Sequence, residues 1–192
     1  MPNGLALAVN ILIVLFLLSY IVSMILNFFS PYYATPKKLV KEIIKKFGIN
    51  PNEKFADLGC GDGRVVWATH KMFKCESVGY EISPVLLMMI KLSKAVYAPF
   101  NKKIKFVEED FFKVDLKGYD VIYCCLPEDV LELLSNKFKK ELKKGSRVYS
   151  YKREIPNLNG KKIQVGQQYI FEIHLLVRKL SPIVIDVFSN EY

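Results

Sequence analysis

The sequence predicts an α/β domain of the doubly wound, mainly parallel class, preceded by one N-terminal transmembrane helix. Two observations support this: an uncharged apolar run at 5–29, and an alternation of strand-like and helix-like segments after it. Such alternation is typical of a parallel sheet with helices on both faces. The chain has 192 residues, which is room for one domain and an appendage. We therefore divide it into an anchor, 1–30, and one domain, 31–192.

The apolar run is broken only by Asn10, Ser19, Ser23 and Asn27. A helix over this run rises by about 37 Å, against about 30 Å of hydrocarbon in a bilayer. A cleaved signal peptide is the alternative, and it predicts a basic start, a shorter apolar stretch and a small-residue cleavage site. No Lys or Arg precedes the run, which favours a retained anchor.

The basic residues predict an orientation and argue against one class of partner. Five lysines follow the span closely, at 37, 38, 41, 45 and 46, which places the domain in the cytoplasm by the positive-inside rule. The net charge is +9, and it comes mostly from Lys. Nucleic-acid binders favour Arg for bidentate contacts, so we expect no nucleic-acid partner. The cysteines form no C-x-x-C pair, and we predict no metal site.

Four segments have the periodicity of helices. In the first, apolar residues recur at helical spacing from Leu39 to Phe47, and Gly48 ends the pattern. The last ends in Lys-Lys-Gly, which predicts a C-cap at Gly145. The predicted helices cover 36–47, 63–72, 84–97 and 129–142.

Short apolar runs between these helices predict seven strands. The run at 120–126 is strongly apolar, and its Cys124 and Cys125 are small hydrophobes of a buried strand. Two strands around Gly166 form a late antiparallel element. The predicted strands cover 54–58, 76–80, 104–108, 120–126 and 147–152, with the last two inside 161–179.

A glycine-rich loop, Phe-Ala-Asp-Leu-Gly-Cys-Gly-Asp-Gly at 55–63, joins the first strand to a helix. Ligands of such sheets bind at the carboxyl ends of the strands, and Gly59 and Gly61 let the backbone approach one closely. The dinucleotide fingerprint is G-x-G-x-x-G, but here Arg64 replaces its last glycine. Asp57 would also repel a pyrophosphate. The same carboxylate suits a ligand with a positively charged amino group, which argues against NAD.

Two further acids follow successive strands. Glu81 ends the second strand, where a carboxylate can accept both hydroxyls of a ribose. Asp110 follows the third strand, where it can accept from an adenine amine, and Phe111 beside it can cover the ring. Three acids in this order predict a site for an adenosyl ligand with a cationic amino-acid tail.

The series Asp-Leu-Gly-Cys-Gly-Asp-Gly, then Glu81, then Asp110 resembles the seven-stranded class I S-adenosylmethionine-dependent methyltransferases. The resemblance implies a Rossmann-like sheet and S-adenosylmethionine as the cofactor. It also implies contacts to the methionine moiety from Asp57, Gly59 and Gly61, to the ribose from Glu81, and to the adenine from Asp110 and Phe111.

Further stretches are similar to a group of small protein-lysine methyltransferases. They are Pro-Tyr-Tyr-Ala-Thr-Pro at 31–36, Gly-Asp-Gly-Arg at 61–64, Asp-Phe-Phe-Lys-Val-Asp at 110–115 and Glu-Leu-Lys-Lys-Gly-Ser-Arg-Val at 141–148. The group includes archaeal broad-specificity enzymes and the membrane-anchored mitochondrial enzyme that modifies the ATP synthase c subunit. The similarity implies that Tyr33 and Thr35 close over the methionine end of the cofactor. Alternatively, they form a turn and N-cap before the helix that starts at Pro36.

The segment after the fourth strand concerns the acceptor. It lacks the Asn/Asp-Pro-Pro-Tyr tetrapeptide of many enzymes that methylate amino groups of nucleic acids, which argues against a nucleic-acid substrate. We expect Leu126 and Pro127 to line the acceptor channel. Glu128 or Asp129 can attract a lysine, although Asp129 also suits a helix N-cap.

We expect a membrane-tethered protein-lysine methyltransferase, because tethering concentrates substrates of the same bilayer. A methyltransferase for a lipid, quinone or other small membrane molecule is the alternative, and a non-catalytic membrane subunit is the least expected. Methyl transfer from a sulfonium mainly requires alignment of the reacting atoms. We therefore assign no catalytic residue.

Overall fold

The computed structural model describes residues 4–29 and 34–175. The first helix, α1 (Gly4–Phe29), contains a stretch, Gly4–Val22, with a mean hydropathy of 2.8. Within the described residues it is the one helix long and apolar enough to cross a membrane. A signal sequence near the N-terminus can meet the same criteria of length and hydropathy, so α1 is a candidate span.

Four helices and seven strands follow within the described part of the chain. The helices are α2 (Lys37–Lys45), α3 (Arg64–Phe73), α4 (Pro84–Tyr97) and α5 (Glu128–Glu141). The strands are β1 (Lys54–Leu58), β2 (Glu76–Glu81), β3 (Ile104–Glu108), β4 (Val121–Cys124), β5 (Arg147–Tyr151), β6 (Lys161–Val165) and β7 (Gln168–His174).

The strands form one sheet in the order β3-β2-β1-β4-β5-β7-β6. The first five are parallel, β7 pairs antiparallel with β5, and β6 pairs antiparallel with β7. The predicted Rossmann-like, mainly parallel sheet is therefore confirmed. The strand order reverses between β1 and β4, and such switch points are where sheets of this class bind ligands.

Two apolar clusters cover the two faces of the sheet. Alternate residues of β4 belong to different clusters, Tyr123 to one and Ile122 to the other. The first cluster holds the buried residues of α2, α3 and α4, such as Ile43 and Leu87, and the second holds those of α5, such as Phe138. This two-sided burial explains why most strands are continuous apolar runs.

The two caps of α5 and the end of β4 differ from the predictions in ways that have a structural reason. Helix α5 ends at Glu141, so a C-cap at Gly145 is wrong: Leu142 leaves the helix to pack on the second cluster, and Gly145 lies in the following turn. The N-cap is Pro127, so an N-cap role for Asp129 is also wrong. Strand β4 ends at Cys124, and the chain then turns toward the ligand-binding edge of the sheet.

Candidate functional site

The glycine loop lies at the carboxyl edge of the sheet in a conformation that only glycine adopts easily. Gly59, Gly61 and Gly63 have φ angles of 75°, 56° and 74°. A Cβ on Gly63 would lie 2.7 Å from the Phe106 ring, and one on Gly59 would lie 3.1 Å from Leu126. The loop is thus packed tightly against its own domain.

Asp57 lies at the base of this loop with 2% of its surface exposed. Burial, followed by the charges of Glu81 and Asp62, raises the pKa of the Asp57 carboxyl well above its usual range. Within the described residues no hydrogen bond to this carboxylate offsets the cost. A buried carboxylate without a donor favours a cationic ligand. It lines a small cavity with Thr35, Tyr123 and the glycine loop.

Glu81, at the end of β2, connects the glycine loop to the sheet by hydrogen bonds. Its Oε2 accepts a hydrogen bond from the Gly61 amide at 2.9 Å. Its Oε1 accepts from the amides of Ile82 and Ser83 at 3.0 and 2.9 Å. A carboxylate has about four acceptor positions, so one stays available on Oε2. A ribose hydroxyl can use that position.

Asp110 and Phe111 follow β3 at the same edge of the sheet. Phe111 lies above the glycine loop, since its ring would be 3.9 Å from a Cβ on Gly59. The Asp110 carboxylate accepts a hydrogen bond from the Phe112 amide at 2.9 Å, within its own turn. The charges of Glu81 and Asp62 act on the Asp57 carboxyl. The structure therefore brings Asp57 and Glu81 together.

Thr35 lies in the segment just before α2 and is buried. Its hydroxyl is 2.6 Å from the Tyr123 hydroxyl of β4. The N-cap of α2 is Pro36, without a side-chain cap, so the alternative N-cap role of Thr35 is wrong. The Thr35 hydroxyl is hydrogen-bonded to the Tyr123 phenol instead of capping the helix. Tyr33 lies outside the described residues.

Asp62 and Arg64 brace the loop, a role that the sequence analysis missed. Arg64 Nε and Nη2 donate to the two Asp62 oxygens, both at 2.7 Å, and Nη1 donates to the Thr35 carbonyl at 2.8 Å. Burial raises the pKa of Asp62, but the hydrogen bonds from Arg64 outweigh it and leave the pKa below its usual value. The signal in the sequence was Arg64 at a position where dinucleotide folds need glycine.

A second cavity of about 300 Å³ adjoins the first, because Ala34 and Cys125 line both. Leu126, Tyr151, Lys152 and Arg153 complete its lining. The Tyr151 hydroxyl is buried without a hydrogen-bond partner among the described residues. Burial raises the pKa of this phenol. The cavity thus adjoins the first one and has the Tyr151 side chain in its lining.

Comparison with known proteins identifies the family. The ANTKMT methyltransferase domain model matches residues 57–162, more than half of the chain. The protein-lysine N-methyltransferase of Saccharolobus islandicus (strain REY15A) is 33% identical over 134 residues, which cover 69% of this chain and 83% of that enzyme. The adenine nucleotide translocase lysine N-methyltransferase of Mus musculus is 32% identical over 126 residues, covering 66% of this chain and 54% of the mouse enzyme.

A solved structure supports the same fold. The RNA methyltransferase of Salinibacter ruber, crystallised with S-adenosyl-L-homocysteine, superposes with a TM-score of 0.70 at 22% identity. The match covers 75% of this chain and 94% of that one, and at this identity it speaks for the fold alone. The resemblance to S-adenosylmethionine-dependent methyltransferases is confirmed, and with it the cofactor. The chain belongs to the ANTKMT methyltransferase family.

Proposed function

We propose that this methyltransferase methylates lysine side chains of proteins in or near the membrane that α1 enters. The observation that carries the proposal is the junction of two cavities at Ala34 and Cys125. One contains the Asp57 carboxylate, and the other is lined by Leu126 and Tyr151. The Leu126 side chain and the Tyr151 ring suit the methylene stem of lysine. The names of the archaeal and mouse relatives support lysine as the acceptor.

The donor cavity fits the cofactor, which supplies an electrophilic methyl group on a positively charged sulfur. In our proposal Asp57 holds the cationic amino group of the methionine moiety, against the backbone of Gly59 and Gly61. Glu81 offers its remaining acceptor position to the ribose. Asp110, Phe111, Thr35 and Tyr33 keep the roles that the family resemblance implies.

The acceptor cavity is suited to a neutral amine. A lysine ammonium has no lone pair and must lose a proton before it can attack the methyl group. Lys152 and Arg153 line this cavity, and like charges together with burial lower the pKa of an entering ammonium. This chain therefore needs no dedicated base in our proposal. Its residues align the amine, exclude water and disfavour the protonated form.

The anchor and its orientation are part of the same proposal. Helix α1 has the length and hydropathy of a span, and lysines follow it closely at Lys37, Lys38 and Lys41. The positive-inside rule then places 31–192, as one methyltransferase domain, on the cytoplasmic side. A tethered domain meets lysines of the same bilayer at a raised effective concentration.

A lipid acceptor is the second candidate, and the charge of the cavity favours it. Lys152 and Arg153 can pair with a phosphate as well as they can repel an ammonium. A membrane anchor serves either acceptor.

Incubation of the purified full-length protein with radiolabelled cofactor and native membranes separates the two candidates. We expect the label in protein, released by acid hydrolysis as methyl-lysine. Label that extracts into organic solvent would instead establish the lipid candidate. The Asp57→Asn variant serves as the control for cofactor-dependent transfer.

A further inference from the structure

Helix α4 has an apolar face that points away from the core. Its inner face contributes Leu87 and Ile90, which are 1% and 3% exposed. The opposite face consists of Met88, Met89, Leu92 and Val96, each between 59% and 67% exposed. These residues recur at helical spacing and therefore form one stripe. A surface helix that is apolar on two opposite faces needs a second partner besides its own core.

Further exposed apolar residues lie near both ends of the helix. Ile82, just before α4, is 68% exposed, while Tyr97 and Phe100, at and beyond its end, are 81% and 93% exposed. The stripe itself follows α4, which rises by about 21 Å. Single exposed apolar residues are ordinary, but a contiguous patch marks an interaction site. We call the surface formed by 82–100 on this side the α4 face.

The charge beside the α4 face has one sign. Residues 82–107 include five lysines, at 91, 94, 102, 103 and 105, and no Asp or Glu. Lys91 and Lys94 line a surface cleft of about 520 Å³ together with Lys105. Lys105 pairs with Glu76, which leaves Lys91, Lys94, Lys102 and Lys103 as the surplus of positive charge within 82–107. Apolar side chains flanked by lysines match a bilayer interface that contains anionic lipids.

We propose that the α4 face docks the domain onto the surface of an anionic bilayer, as a membrane contact additional to α1. A second copy of this chain fits less well, because two such faces would bring like charges together. The short connector between α1 and the domain favours a lipid surface as the partner of the α4 face. Phe29 and Ala34 are five residues apart in sequence, so their Cα atoms lie within about 18 Å. Where α1 enters a bilayer, as our proposed function holds, the domain stays beside it.

Docking would also define where the enzyme works. Ile82 directly follows Glu81, so the α4 face begins at the rim of the proposed cofactor site. A docked α4 holds that rim at the level of the headgroups. The substrates are then lysines in the headgroup layer, rather than lysines of distant soluble domains.

The test places a fluorescent probe on the α4 face of the full-length protein. The native cysteines Cys60, Cys75 and Cys124 are buried, and Cys125 is half-buried, so an introduced thiol can be labelled selectively. Met89→Cys is labelled with the environment-sensitive dye NBD, and Leu133→Cys on α5 is the matched control, since Leu133 is also apolar and 63% exposed. Labelled parent protein reports any background from Cys125.

Both variants are reconstituted into protein-free vesicles of phosphatidylcholine with or without phosphatidylglycerol. We expect the emission at position 89 to rise about threefold, shift to the blue and be quenched by brominated acyl chains, mainly in the anionic vesicles. The emission of the dye at position 133 should remain that of a dye in water. A water-like signal at position 89 in both vesicles would overturn the proposal. A shift that needs native membranes with their proteins would also overturn it, in favour of a protein partner.

Alkaline carbonate extraction separates this outcome from the fate of the anchor. Protein that resists extraction, but whose dye at position 89 emits as it does in water, is anchored by α1 without docking of the α4 face. Our inference is then wrong. Protein that is extracted by carbonate, yet reports lipid at position 89 at neutral pH, docks without an anchor. That result overturns the anchor alone and supports the α4 face. The double variant Lys91→Glu/Lys94→Glu should lose the preference for anionic vesicles while Met89 keeps its exposure.

Discussion

The hydroxyl groups of Thr35 and Tyr123 lie 2.6 Å apart in a buried hydrogen bond that joins the segment before α2 to strand β4. Both residues line the cavity that contains Asp57. The bond therefore fixes Thr35 beside the proposed cofactor site.

Tyr123→Phe should weaken cofactor binding and stability together. The substitution leaves the Thr35 hydroxyl buried without its partner, which costs about 1–3 kcal/mol of unfolding free energy. We expect a lower melting temperature and about a tenfold rise in the Kd for S-adenosylmethionine, measured by calorimetry. Tyr119→Phe is the control, because it breaks the buried 2.7 Å bond to Tyr80. The control should lose stability while its Kd stays normal; an equal rise in both Kd values would contradict a local role.

Asp57→Asn should stabilise the cofactor-free protein and weaken cofactor binding strongly. The folded protein raises the pKa of Asp57, so the ionised carboxylate destabilises the fold once the pH exceeds the usual Asp value. Asn removes that charge but cannot pair with a cationic amino group, and loss of one partner of a buried pair costs about 3 kcal/mol or more. We expect a higher melting temperature and about a 100-fold weaker Kd.

The exposed Asp115→Asn variant is the matched control for that experiment, because Asp115 accepts a hydrogen bond from the Lys117 amide of its own turn, away from the site. Asp115→Asn should change neither the melting temperature nor the Kd for the cofactor. A normal Kd in Asp57→Asn would remove Asp57 from the site.

Cofactor binding should release protons as the pH is lowered toward the raised pKa of Asp57. A bound cation requires the ionised carboxylate, so a protonated Asp57 must give up its proton on binding. Affinity then decreases as the pH falls through that pKa. Calorimetry in buffers of different ionisation enthalpy measures the released protons, and the release should vanish in Asp57→Asn. Proton uptake over the same range would contradict this assignment.

Local patterns in the sequence were enough to predict the sheet, the glycine loop and the placement of Asp57, Glu81 and Asp110 at the carboxyl edge of the sheet. Each depends on residue types within one strand and the turn that follows it, and parallel strands bring such turns to one edge. The Thr35–Tyr123 bond joins residues 88 positions apart, so no local pattern encodes it. The cap predictions at Thr35 and Gly145 were wrong because tertiary contacts decided them: Tyr123 engages Thr35, and the core engages Leu142. The cap prediction at Asp129 was wrong because α5 begins one residue earlier, at Glu128.

Arg64→Lys should loosen the glycine loop while keeping its charge. Lysine lacks the planar fork that binds both Asp62 oxygens and the Thr35 carbonyl. We expect the Kd for the cofactor to rise about tenfold, which is about 1.4 kcal/mol. Arg147→Lys is the control, since Arg147 donates hydrogen bonds to both carboxylate oxygens of Glu53, away from the site. It should lower the melting temperature without affecting the Kd. An unchanged Kd in Arg64→Lys would mean that the loop holds its shape without the fork.

Tyr151→Phe tests the acceptor cavity. The Tyr151 hydroxyl is buried without a described partner, so its removal should leave the stability of the free enzyme unchanged or slightly higher. If the hydroxyl meets the entering amine, its loss removes one hydrogen bond, worth about 1 kcal/mol, and raises the KM for the protein substrate about fivefold. The Kd for the cofactor should not move, because Tyr151 lines the second cavity and not the first. Tyr169→Phe, on the exposed surface of β7, should leave the KM unchanged. A normal KM in Tyr151→Phe would place the acceptor elsewhere, since a substrate that fills this cavity must bury its reactive end beside that oxygen.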